Sequence, residues 1–498
     1  MTKLSITLRA ALAMIFMIGF YCLALIILLV LIYVPLAQWC YLGQLKINTA
    51  LFCGIWFILI INSLIPRRHN SVPIGFKLDE SKNKRLFDEI NKIAEITEQK
   101  PPQEVFIVSD SNAYVYESGG FMGLGSRRGL VIGLPLLYIL NVSEFRSVLA
   151  HEFGHYYNGD TKLSPLVHKT HTSMNKTLKD IKGSFLMIPI YLYRQLFLKI
   201  SLAVSRHQEF MADLQSARVA GSQISIDALV KIHGKGCLFD SYWKEEIMPI
   251  ISKGFKPPIF DGFKMYLNSH KAKSKITYLM QQQDSNRKSN YFDTHPPFNE
   301  RIKSLQNNYI NGKLPICDQI AISIIESELE VETELLKLNI GDDKMVENLK
   351  PIQWDETTEK VYLKIWEDLL SDEVSALSGI KPTDFPSIAS NPQNFVRSLR
   401  KYYEDDVPLI DRAQNILGVA TVFVLYKRGW HISIMPGEEI SMVDSDKVIK
   451  PFTLFSQLKS GGISKNEWFE ICRQSRIAEI NLGHIAAGGI KRDMQFEK

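Results

Sequence analysis

Apolar residues crowd the amino terminus: Ala10 to Val34 is an almost unbroken run of about 25 residues, and residues 49–66 form a second of about 17. Each is long enough for a helix to traverse a bilayer, and the first exceeds the apolar core of a cleavable signal peptide, roughly 7 to 15 residues. Two N-terminal transmembrane helices are the economical expectation. Lys3 and Arg9 precede the first run, Lys46 lies in the short connection, and Arg67 and Arg68 follow the second. The positive-inside rule then puts the amino terminus and the chain beyond residue 68 on the cytoplasmic side. A third apolar stretch, residues 185–204, is interrupted by Arg194, Gln195 and Lys199. Charges at bilayer depth are costly, so this stretch predicts an interfacial amphipathic helix or a packed core helix rather than a span.

Beyond the anchor the pattern turns amphipathic. Residues 143–158 form a helical run with an apolar flank of Val148, Leu149 and Phe153, Ser143 as a candidate cap and Asn158-Gly159 as a stop. Inside it, His151-Glu152-Phe153-Gly154-His155 reads H-E-x-x-H, with Gly154 the one poor helix former. Positions four apart share a helix face, so both imidazoles can bind one metal ion, with Glu152 in reach of a water on that ion. A catalytic zinc needs a third protein ligand and an open position. The best candidate is Glu209, one helical turn before Asp213 in the run 205–217; Glu209 would bind the metal and Asp213 would fix a ligand imidazole. The alternative for such an acidic pair is a solvated helix face.

Short β-branched or aromatic runs at 105–108 and 130–132, separated by several glycines, predict strands. Asn112, Ala113 and Tyr114, in the stretch 112–116, are the candidate edge that holds an extended peptide by main-chain hydrogen bonds; an ordinary hairpin over the core is the alternative.

At these residues the chain resembles the membrane-associated zinc metallopeptidases, the family of the heat-shock protease HtpX and the CAAX prenyl protease. The matching stretches are Asn112-Ala113-Tyr114, His151 to His155 with Asn158-Gly159-Asp160, Glu209 to Asp213, and Thr294 to Arg301, in the family's order. The resemblance spans residues 70 to 310. It implies one Zn2+ per chain held by His151, His155 and Glu209, with Glu152 as general base. His295 and Arg301 match a family motif, either as donors to the oxyanion or as organisers of the ligand helix. For His295 the alternative is a helix start before Pro296-Pro297, and for Arg301 a structural ion pair. The implied fold is mainly α with a small β-sheet, a zincin-like (gluzincin) peptidase domain. The implied activity is endopeptidase cleavage of protein or peptide substrates at a membrane lipid surface, in protein quality control, by an integral protein of the bacterial inner membrane with a cytoplasmic domain. Processing of a lipidated peptide, as in the CAAX protease, and a non-catalytic scaffold that retains a peptidase fold are the competing readings.

Size and charge refine this picture. At 498 residues the chain exceeds one ordinary domain. The expected division is an anchor at 1–68, a metallopeptidase domain at 69–310, an acidic helical linker region at 311–405 and a small α+β accessory module at 406–498. Six cysteines without C-x-x-C spacing give neither a disulfide framework nor a thiolate zinc site. The net charge of +5 conceals a segment, 326–373, with about ten net negative charges, and no nucleic-acid motif accompanies the basic remainder. Residues 318–338 read as a helix capped by Asp318 with Glu326, Glu328, Glu330, Glu332 and Glu334 solvated, and 341–358 as a polar linker. Residues 362–370 and 393–403 read as helices, 430–435 and 440–443 as a hairpin about Pro436-Gly437, and further helices begin near Pro451 and Lys465.

Overall fold

The computed structural model describes residues 3–64, 73–118, 127–155, 170, 173–179, 187–286, 296–399 and 408–488. The chain divides into two compact units, Met1–Gly236 with Met280–Gly341, and Cys237–Leu279 with Asp342–Lys498.

In the first unit the apolar start forms two helices, α1 (Lys3–Leu42) and α2 (Ile47–Leu64). The stretch from residue 185 does not stand alone. It opens a single helix of 34 residues, α6 (Met187–Ala220), whose N-terminal half packs on α1 and α2 through Ile190 and Phe197 against Phe20, Ile27, Leu28, Leu31 and Ile60. The Tyr193 hydroxyl donates to the Phe16 carbonyl at 2.6 Å, and Gly19 leaves room for that phenol ring. Met14–Leu42 and Met187–Ala220 are long and apolar enough to cross a membrane, and Ile47–Asn62 is a shorter apolar helix. The part of the stretch 185–204 that the structure describes is thus a helix packed on α1 and α2 that is also long and apolar enough for a span. One of its charges is accommodated by a partner distant in sequence, since Arg194 Nε donates to Asn175 Oδ1 at 2.6 Å. The outer faces of the three helices remain apolar, with Ile15, Leu25, Leu29, Ile55, Tyr191 and Leu196 exposed.

A four-stranded sheet follows from the β-branched runs: β1 (Phe76–Lys77), β2 (Glu104–Val108), β3 (Ala113–Ser118) and β4 (Arg127–Gly133), in the order β1-β2-β4-β3. β2 and β4 pair in parallel and are the central strands, with Val105, Ile107, Leu130 and Ile132 fully buried. β3 pairs antiparallel with β4 and is an edge. Tyr116 stands opposite Gly129, and its ring covers the space where a side chain at 129 would be. The buried α4 (Leu134–Ile139) and α5 (Val142–Gly154) pack on this sheet, and α3 (Lys84–Ile96) packs on α5. The cap of α5 is Asn141, not Ser143: Asn141 Oδ1 accepts from Glu144 N at 2.8 Å, and Glu144 Oε2 accepts from Asn141 N at 2.9 Å. Ser143 instead accepts from Cys317 N at 2.7 Å. That contact explains a second correction. Residues 317–320 are held extended along the start of α5, with Val142 N donating to Gln319 O, and Ala321–Ile324 form a 3-10 turn, so the α-helix expected from Asp318 begins only at Glu328 and runs to Ile340. On it Glu328 accepts from Tyr138 at 2.5 Å and Glu332 is buried, so neither is a solvated acid.

The second unit is built around Leu409–Lys427, a helix to which the sequence reading assigns nothing. Ala413, Ile416, Leu417, Val419, Ala420, Val422, Val424 and Leu425 are all buried, and a helix apolar on every face is a core helix. The expected hairpin is present as His431–Ser433 paired with Ser441–Asp444, and Lys447–Ile449 adds a third strand. Residues 350–351, expected in a linker, pair in parallel with Phe255 and Lys256.

Candidate metal centre

α5 delivers His151 in its last turn and His155 at its end, with ring centroids 4.9 Å apart and rings nearly perpendicular. α6 delivers Glu209 opposite them. Glu209 Oε2 lies 3.6 Å from His151 Nε2, and Oε1 lies 3.7 Å from His155 Nε2. One ligand atom from each of the three residues falls within 4.8 Å of the others. Tetrahedral zinc with bonds near 2.05 Å requires donor atoms about 3.3 Å apart, so two imidazoles and one carboxylate at these spacings fit that ion. Glu209 and Asp213 are 5% and 2% exposed; they do not form a solvated face.

Asp213 stands behind His151. Its Oδ1 lies 3.0 Å from Nδ1, which places the imidazole proton there and leaves Nε2 with its lone pair toward Glu209. Burial presses the His151 imidazole toward its neutral form, but the bond to Asp213 outweighs burial and raises its pKa. Burial likewise pushes the Asp213 pKa up, yet hydrogen bonds from Arg301 and His151 hold it down at about 2. Arg301, on the helix Phe298–Asn307, forks onto Asp213 with Nε to Oδ2 at 2.8 Å and Nη2 to Oδ1 at 2.6 Å. Its Nη1 lies 3.8 Å from Glu209 Oε2. Phe298 at the head of the same helix stacks on His233 at 4.2 Å. Glu152 is half-buried, and its charge acts on both His151 and Arg301. His295, like Asn158 and Gly159, lies outside the described residues.

A chain of buried hydroxyls joins the helices one turn behind the ligands. Ser147 on α5 donates to Ser225 at 3.0 Å, Ser216 on α6 lies 2.9 Å from Ser225, and Ser225 lies 3.0 Å from the Gly221 carbonyl. Serines in helical runs carry no pattern that announces such a chain. β3 packs beside α5. Ala113 is buried there and Tyr114 exposed, while Asn112 Oδ1 accepts from Ala113 N at 2.9 Å and Asn112 O accepts from Gly133 N.

Residues 80–309 match the model of peptidase family M48. The protease HtpX homolog of Archaeoglobus fulgidus is 24% identical over 268 residues, covering 51% of this chain and 77% of its own length. Protease HtpX of Acinetobacter baylyi is 24% identical over 243 residues, covering 44% of this chain and 70% of its own. That of Baumannia cicadellinicola is 22% identical over 280 residues, covering 51% and 83%. No solved structure matches the chain. Two histidines and a carboxylate meet within the matched residues, so residues 80–309 form a region that matches peptidase family M48 and is similar to the HtpX proteases.

Proposed function

We propose that the chain is a zinc-dependent endopeptidase anchored in a membrane and working on membrane or cytoplasmic proteins in quality control. The observation that carries this reading is the approach of Glu209 to both Nε2 atoms, with Asp213 fixing His151 from behind. His151, His155 and Glu209 would hold one zinc ion; when bound, it supplies Lewis acidity that acidifies a water and polarises a peptide carbonyl. Glu152 takes the proton of the attacking water and hands it to the leaving amine. Arg301 commits two N–H groups to Asp213, so its part is to hold the ligand helix in place, and His295 is left as the donor to the developing oxyanion. The edge strand β3, with Asn112, Ala113 and Tyr114, supports an extended substrate backbone, a mode that selects weakly for sequence.

The apolar exterior of α1, α2 and the first half of α6 supports burial in lipid. The distribution of Lys3, Arg9, Arg67 and Arg68 favours a cytoplasmic active site, in a bacterial inner membrane on the family resemblance of the sequence. The test compares metal content and cleavage of a casein-type substrate across variants. Wild type is expected to carry one zinc, His151→Ala and Glu209→Ala to lose it, and Glu152→Gln to keep zinc while losing hydrolysis. Stoichiometric zinc in Glu209→Ala, or undiminished proteolysis in Glu152→Gln, would overturn the assignment.

A further inference from the structure

Gly154 is a poor helix former one residue before a ligand histidine, and the structure gives its missing side chain a use. A Cβ built there would stand 3.0 Å from Ala212 Cα, 3.1 Å from Gln215 Cβ and 3.4 Å from Ala212 Cβ. Non-bonded carbons prefer about 3.5–4.0 Å. α5 and α6 thus meet tightly where His155 follows on one helix and Glu209 and Asp213 flank Ala212 on the other. Ala212 is fully buried, so the far wall has little room to retreat.

We infer that Gly154 is a positioning residue for the metal ligands: the bare backbone at 154 sets the separation of α5 and α6 that brings the Glu209 carboxylate to both imidazoles. The inference rests on the proposed reading of His151, His155 and Glu209 as ligands. A methyl group at 154 must drive the helices apart by a few tenths of an ångström, and coordinate bonds to zinc tolerate only about 0.2 Å. Helix propensity runs the other way, because alanine is the better helix former. A site where glycine served only the local backbone would therefore accept alanine without any change in metal binding.

The experiment measures zinc affinity by chelator competition and the visible absorption of Co2+ placed in the same site, using the full chain. Gly154→Ala is expected to bind zinc at least about tenfold more weakly, the range seen when groups supporting metal ligands are altered, and to shift the Co2+ bands. The double variant Gly154→Ala/Ala212→Gly, which removes the 3.4 Å contact, is expected to recover part of the affinity. As a control, Gly262→Ala in the second unit, where a Cβ would strike Trp354 and Tyr242, should lower thermal stability and leave zinc affinity at the wild-type value. Equal affinity and identical Co2+ bands in wild type and Gly154→Ala overturn this inference alone. Failure of the wild type to bind zinc overturns the ligand assignment and the inference with it.

Discussion

Asp213 shows how much of the proposed metal centre would be decided by residues that do not touch the metal. It chooses the nitrogen of His151 that faces Glu209, and Arg301 in turn holds Asp213 by a two-pronged contact that a lysine cannot copy. Arg301→Lys is accordingly expected to weaken zinc binding by about tenfold while the folded content stays unchanged, measured by chelator competition alongside circular dichroism. At this scale the sequence was informative where spacing is chemistry. Two histidines four apart on a helix, and Glu209 four before Asp213, can be recognised because helical geometry converts spacing into a shared face. Gly154 and Ser225 could not be read, because a helix-helix contact and a hydroxyl chain depend on partners in distant segments.

Helix starts and strand edges depend on the same balance of local and distant partners. Asn141 and Ser143 are both competent caps two residues apart, and only the Cys317 amide, which occupies Ser143, leaves the role to Asn141. Asn141→Ala should therefore cost about 1 kcal/mol of stability, seen as a lowered midpoint in thermal unfolding of the metal-free protein. The strands were legible in the β-branched runs, and the hairpin about Gly437 in its turn residues, with Gly437 at φ +73°. Two elements were not. The described part of the apolar stretch and the acidic run ending at 217 are one helix, Met187–Ala220, hidden because its two halves carry different patterns, one apolar and one acidic. Leu409–Lys427 has no amphipathic period, since every face of it is buried.

The whole molecule is interrupted rather than sequential: residues 237–279 leave the first unit and join 342–498 in the second. Composition along the chain cannot show this, because the joining contacts are long-range, such as Phe255 paired with Lys350 and the Trp354 indole donating to the Pro258 carbonyl at 3.0 Å. Truncation after Gly341 removes Trp354 and Gly437 from beside Tyr242 and Tyr266, both fully buried, and is expected to yield aggregated protein even though residues 80–309 remain intact. Size-exclusion chromatography of the truncated chain in detergent checks this; a monodisperse, zinc-bound product would contradict it.

The unbroken course of α6 has a further consequence. Phe197 belongs to the apolar cluster and Glu209 to the candidate metal centre, and twelve residues of helix hold them about 18 Å apart. On the membrane reading, α6 is a measuring rod with one end seated among lipid-facing helices and the other at the cutting point. A polypeptide emerging at the level of Phe197 must offer about six extended residues before it reaches Glu152 and its neighbours. On the proposed peptidase function, tightly tethered segments are expected to escape and loosened or unfolded ones to be cut.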